Sequence, residues 1–451
     1  MANKNYVYFL SIVAALGGFL FGFDTAVISG AERAIQTNWD LTDFYHGLAV
    51  AIALYGTVLG ALFGGFPADK YGRKKTLIWI GILYFVSALG SAMAPDINTF
   101  MIFRFIGGLG VGASSVVAPM YISEIAPAKN RGQLVALFQF NIVFGILIAY
   151  LSNYLIGTAN LENAWRVMLG VEAIPAFIYT VMAFRVPESP RWLVIKRNDL
   201  VQARKILDRT DPEAAESIIQ STFDENQLIQ AKSGFADLFN KKFINITGLA
   251  VMIAVFNQIS GINAIIYFAP RIFELGGISA ENALFSTIGI GVVNLLATMG
   301  GLFLIDRIGR RKLMLIGSVG YIISLGLISF NFMGDFRMEG PFLPVFVFIF
   351  IASHAIGQGS VIWVFISEIF PNKLRASGQS LGCFTHWIMA AVIANIFPYL
   401  ASTLGPAYIF GFFCLMMVIQ LIWVIFVMPE TKGKSLEEIG QKLKLESWVE
   451  K

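Results

Sequence analysis

Apolar runs of about 20 residues recur along the whole chain, and each is long enough to cross a hydrocarbon core of about 30 Å as a helix. Twelve can be marked, near residues 7–30, 46–66, 76–95, 99–122, 134–157, 165–186, 244–274, 281–304, 313–332, 342–366, 377–400 and 405–428. Inside a bilayer the backbone must satisfy its own polar groups, so such runs read as membrane helices. Of the 451 residues, 56% are hydrophobic and only 14% are charged. A soluble chain carries roughly a quarter charged residues. The first run is too long for a cleaved signal peptide and leads into no small-residue cleavage site. The expected fold is an all-α membrane protein with twelve transmembrane helices.

Loop charges give an orientation. The loop after span 2 reads DKYGRKK and the loop after span 8 reads DRIGRRK; Lys129 and Arg131 follow span 4, and Lys373 and Arg375 follow span 10. The opposite ends hold few cations, mainly Arg33, Arg166, Arg271 and Arg337. Cations collect on the cytoplasmic side, so the even-numbered loops and both termini are expected there. The expected division is an N-terminal six-helix half at 1–186, a cytoplasmic linker at 187–243, a C-terminal half at 244–430 and a tail at 431–451. The linker carries PESPRWLVIKRNDLVQARKILDR, whose apolar spacing predicts short amphipathic helices. The whole chain's net charge of +4 is small for nucleic-acid binding, and the two cysteines, Cys383 and Cys414, allow one pairing at most.

A repeat supports the two halves. YISEIAPAKNRGQ answers FISEIFPNKLRASGQ: Glu124 and Glu368, Pro127 and Pro371, and Arg131 and Arg375 are each 244 residues apart. Asp69 and Asp306 are 237 apart, and PESP answers PETKG at an offset of 242. Parallel six-span repeats related by an axis along the membrane normal are a known transporter architecture. The repeated charges also suggest an inner gate. Asp69, Arg73, Glu124, Arg131, Glu188 and Arg191 in one half, and Asp306, Arg310, Glu368, Arg375 and Glu430 in the other, are expected to pair across the halves. The positive-inside rule needs cations, but it does not need the repeated acids.

Asp24 in span 1, Arg104 in span 4 and Glu172 in span 6 are charges set well inside their apolar runs. Each sits five to seven residues from the outer end of its span, a depth of roughly 8–11 Å. A charge at a helix centre costs about 2.5–3.5 kcal/mol on insertion scales, so two acids and a base at one depth are expected to pair. One reading is a structural ion pair. The sharper one is a proton switch, with Asp24 held by Arg104 until protonation releases it, and Glu172 pairing in its place or tuning it.

A second set is polar and uncharged: Gln139 in span 5, Asn257, Gln258, Asn263 and Tyr267 in span 7, Asn294 in span 8, Trp363 in span 10, and His386 with Trp387 in span 11. Asn263 and Tyr267 share a helix face. Asn257 and Gln258 join that face only if the helix breaks near Gly261, and Gly357 with Gly359 can loosen span 10 in the same way. Any one amide can be interhelical glue. Together with two indoles they suggest a site for a neutral polyol, because amides both donate to and accept from hydroxyls. Nothing points to an enzyme, a cofactor or a metal. TKGKS lacks the leading glycine of a P-loop, and His46, His354 and His386 are scattered. His46 is expected at the solvated outer surface.

GGFPADKYGRKK, RFIGGLGVG, PESPRW, NQISGINAIIYFAP, ISEIFPNKLRASGQ and PETKG, in that order, resemble the sugar porter family of the major facilitator superfamily over about residues 7–440. Within it the similarity is greatest to bacterial proton-coupled sugar symporters. The resemblance implies alternating access around a midplane site and a multi-pass location in a bacterial inner membrane. It assigns sugar contacts to Gln139, Gln258, Asn263, Asn294, Trp363 and Trp387, with Phe21 and Tyr267 lining the site. It makes Asp24 the proton-coupling acid and Arg104 its partner. Four positions depart from the family pattern: Asn257 replaces a Gln, His386 a Gln or Asn, Ser360 a Pro and Pro67 a Leu. An unperturbed imidazole titrates near neutral pH, which makes His386 a second candidate for proton handling. The expected partners are a monosaccharide (pentose or hexose), a proton and the lipid bilayer, with the chain monomeric. The alternatives are a passive facilitator, in which the buried pair is structural, and a membrane-embedded sugar sensor.

Overall fold

The structure is a computed structural model of the chain, and it describes residues 4–159, 161–228, 235–333 and 342–434. Arg337, part of the linker and most of the tail lie outside the described residues. Among the described residues, twelve helices are long and apolar enough to span a membrane: α1 (Lys4–Asn38), α2 (Asp43–Phe63), α3 (Arg73–Met93), α4 (Ile97–Ile125), α5 (Arg131–Thr158), α6 (Ala164–Ala183), α7 (Ile244–Leu275), α8 (Ala280–Ile308), α9 (Arg310–Asn331), α10 (Phe342–Ile369), α11 (Leu374–Thr403) and α12 (Pro406–Phe426). Their boundaries follow local chemistry. Gly72 and Gly309 take φ of 103° and 98°, which stops the preceding helix and turns the chain into α3 and α9. Asp96 caps α4, its Oδ1 accepting from Thr99 N at 3.0 Å, and that bond holds its carboxyl below the usual carboxylate range. Pro406 opens α12, where its missing N–H costs nothing.

The chain forms two compact units, Met1–Ala31 with Ile52–Lys232, and Glu32–Ala51 with Ser233–Lys451. In the first, α3 packs against α4 and α6; in the second, α9 packs against α10 and α12. The neighbours correspond helix for helix, which is how a sequence repeat becomes a structural one. Apolar side chains also cover the outside of the helices: Phe426 is 80% exposed and Tyr408 is 73% exposed. Surfaces so apolar suit lipid rather than water.

Within the first unit small residues let backbones touch. A Cβ on Gly22 of α1 would lie 1.8 Å from the Ile142 carbonyl oxygen of α5, so only glycine permits that approach. The linker forms helices over Leu200–Thr210 and Ala215–Leu228. Trp192, Leu193, Val194, Ala203 and Ile206 make a small core with Ile219 and Phe223, and Trp192 Nε1 donates to the Asp69 carbonyl at 2.8 Å. The amphipathic spacing thus folds into a cap fastened to the first unit.

Candidate functional site

The buried charges of the first unit meet. Asp24, Arg104 and Glu172 are at most 3% exposed. Arg104 Nη1 donates to Asp24 Oδ1, and Nη2 lies 3.4 Å from both Asp24 Oδ2 and the Asp24 carbonyl oxygen. Glu172 sits between the two helical stretches of α6, Ala164–Gly170 and Ala173–Ala183, and its carboxyl is close enough to feel the charges of both Asp24 and Arg104. A Cβ on Gly107 would touch Ser87 at 2.3 Å and stand 3.8 Å from Asp24 Oδ1, so α4 lies flush against the pair. The result is two carboxyls and one guanidinium closed off from water. Phe21 and Gln139 are half-buried on α1 and α5 of the same unit.

The second unit holds the uncharged cluster. α7 stops at Ile259 and resumes at Ile262, with Gly261 between them at φ 86°. The break turns Asn257 and Gln258 toward Asn263. Gln258 Nε2 donates to Asn257 Oδ1 at 2.8 Å, and Asn263 Nδ2 donates to Gln258 Oε1 at 2.6 Å. Gln258 Nε2 also lies 3.2 Å from each ring nitrogen of His386. The His386 ring stands 4.9 Å from Trp363 and 4.8 Å from Trp387, edge-on to the latter. Tyr267 is buried on the second stretch of α7, and Asn294 on α8 accepts from Thr298 Oγ1 at 3.3 Å. Amides, an imidazole and two indoles with no fixed charge suit hydroxyls and the C–H face of a sugar ring.

α10 breaks as well, by a π-helical turn over Ala355–Gly359. Ser360 Oγ donates to the Ala355 carbonyl at 2.7 Å and satisfies a group that the wider turn leaves open. Two buried polar groups were not picked out from sequence here. Tyr321 of α9 meets His354 Nδ1 at 2.5 Å. Gln358 donates to Gln420 of α12, whose Nε2 donates to Ser318 Oγ at 2.8 Å. Each of these residues looks ordinary in its own span; only the fold juxtaposes them.

The charges at the expected cytoplasmic ends repeat in geometry. Arg73 Nε and Nη2 bond Glu124 at 3.0 and 2.9 Å, and Nη1 bonds the Ala68 carbonyl and Asp69. Arg310 bonds Glu368 at 3.1 and 2.7 Å, the Ile305 carbonyl and Asp306. Glu188 accepts from the N–H groups of Arg73 and Lys74, and Glu430 from those of Arg310 and Arg311. Each carboxylate therefore caps the positive end of a helix. Burial pushes the Glu188 carboxyl up while these N–H groups pull it down. Each of these bonds joins residues of one unit. Arg375 lines a cavity of about 410 Å³ with Ser367, Glu368 and Thr431, Arg131 is exposed at the start of α5, and Arg191 lies in the short helix Pro190–Trp192.

The expectation that His46 is solvated is corrected. It is 0% exposed, with Glu32 and Arg271 against it, rather than solvated.

Residues 10–443 match the family model described as "Sugar (and other) transporter". The chain is 38% identical to the glucose transport protein of Synechocystis sp., over 97% of this chain and 98% of that one. It is 35% identical to the arabinose-proton symporter of Bacillus subtilis, over 97% and 95%. Among solved structures, the xylose transporter of Escherichia coli in its inward-open conformation superposes with a TM-score of 0.85 at 32% identity, covering 97% of this chain and 100% of that chain.

Proposed function

This chain belongs to the sugar (and other) transporter family, and we propose that it imports a neutral monosaccharide together with a proton by alternating access. The supporting observation is the buried Asp24–Arg104–Glu172 layer. Two buried carboxyls share one guanidinium there, and Arg104 balances a single negative charge, so a proton is needed to neutralise the second acid. The layer thus holds one exchangeable proton beside a fixed cation. When the proton leaves, a second anion competes for Arg104, and the helices carrying the three groups gain a reason to shift. The resemblance to proton-coupled symporters points the same way.

Sugar binding is assigned to Gln139 and Phe21 of the first unit and to Asn257, Gln258, Asn263, Tyr267, Asn294, Trp363, His386 and Trp387 of the second. The even-numbered loops and both termini are cytoplasmic on this reading, the chain acts as a monomer in a bacterial inner membrane, and the repeated charges stabilise the inner ends of the helices. Pentoses and hexoses are both candidates, and His386 chooses between them. Its ring engages the amide that Gln258 would otherwise turn toward sugar. In counterflow assays over a panel of pentoses and hexoses, His386→Gln is expected to change the preference between sugars differing at one hydroxyl by about tenfold, the worth of one hydrogen bond at about 1.4 kcal/mol. An unchanged preference order would remove His386 from the site, and transport of none of the panel would overturn the sugar reading.

A further inference from the structure

The joint between α1 and α2 belongs to the second unit and carries charges that the reading above does not use. Glu32 is 1% exposed and His46 is fully buried. His46 Nε2 lies 2.8 Å from Glu32 Oε2, although off the line of a hydrogen bond. Arg271 of α7 reaches both: Nη1 is 3.3 Å from His46 Nδ1 and Nε is 3.8 Å from Glu32 Oε1. Arg271 Nη2 donates to Gln36, which donates to Asp43 at 2.9 Å. Arg33 pairs with Glu274 alongside. The fit is tight, since a Cβ on Gly47 would lie 1.8 Å from the Asn395 carbonyl oxygen of α11.

We propose that Glu32, His46 and Arg271 form a latch that fastens the α1–α2 joint to α7 and is made and broken in each transport cycle. The proposal rests on the transport reading, because residues 32–51 continue at both ends into segments of the first unit. A cycle in which the halves move must load that joint. The geometry suits a fastening that can open. Removing charges from water offsets much of what a buried ion pair returns, and here the closest contact is misaligned and the guanidinium stands at the limit of pairing. Deleting one partner is different, because it leaves the other charge buried alone. Arg271 is in this sense a positioning residue, acting through the joint rather than on the sugar.

Hydrogen–deuterium exchange of the full chain in nanodiscs tests the latch without any sugar. Arg271→Gln strands the Glu32 carboxylate, so exchange over residues 32–51 and 262–275 is expected to rise at least about tenfold while residues 97–125 stay as in wild type. The double variant Glu32→Gln/Arg271→Gln removes both charges and is expected to regain protection. Unchanged exchange in Arg271→Gln, or a double variant as open as the single, overturns the latch. If Arg271→Gln loosens the whole chain, His46 decides. His46→Gln can donate to Glu32 and accept from Arg271, so it should stay protected, whereas His46→Leu should open the same two segments; identical behaviour of the pair also overturns it. Counterflow on the same samples tests transport separately.

Discussion

Asp24→Asn is expected to abolish accumulation of sugar against a gradient while leaving sugar exchange across the membrane intact. Asparagine fills the same space but cannot carry the exchangeable charge. Asp24 is 3% exposed and grips Arg104 with both its side chain and its carbonyl, so the carbonyl contact survives. Glu172 lies on the same group and can ionise to balance Arg104 once Asp24 is neutral. The single variant should therefore fold, holding the layer in one charge state through the cycle. Removing both acids is a harsher test. Asp24→Asn/Glu172→Gln takes both carboxylates from a 2% exposed guanidinium, a loss of about 3–5 kcal/mol for a broken buried pair. Thermal unfolding in detergent should show a large drop for the double variant and a small one for the single. Equal drops would mean that Glu172 does not take over.

The second large effect is structural. Arg73→Ala is expected to cost about 3–5 kcal/mol, because it strands Glu124, whose side chain is 10% exposed, and opens the bond to the Ala68 carbonyl. Asp69→Asn should cost less than about 1 kcal/mol, since that carboxylate is 61% exposed and screened by water. Arg73→Lys should not rescue, because a point ammonium cannot make the Nε and Nη2 bonds to Glu124 together. Arg310 repeats this geometry around Glu368 and should behave alike. Thermal unfolding of the three Arg73 and Asp69 variants checks the order, and an Asp69→Asn as damaging as Arg73→Ala would contradict it.

The twelve spans and the repeat were legible because both are written in one dimension, as run length and as fixed offset. The Asp24–Arg104–Glu172 layer was legible for a related reason: charges inside long apolar helices have a depth that residue counting gives directly. Gly261 signalled the α7 break because its flanking amides needed a bend to share a face. Partner choice was a different matter. Arg73 and Glu124 are 51 residues apart within one unit, and the repeat could not say whether such charges pair inside a half or across it. His46 looked solvated because it stands beside a polar loop; only the packing of Glu32 and Arg271 around it shows otherwise. The π-helical turn of α10 depends on Ser360 reaching a carbonyl five residues back, which no periodicity records.

The most direct test of the central claim is proton movement in proteoliposomes holding the wild-type protein and a pH-sensitive dye. An inward gradient of one pentose or hexose is expected to make the outside medium more alkaline as sugar and proton enter together, and Asp24→Asn should abolish that signal. Sugar entry in the wild type with no proton movement would contradict the account, leaving Asp24, Arg104 and Glu172 as a structural cluster in a passive carrier.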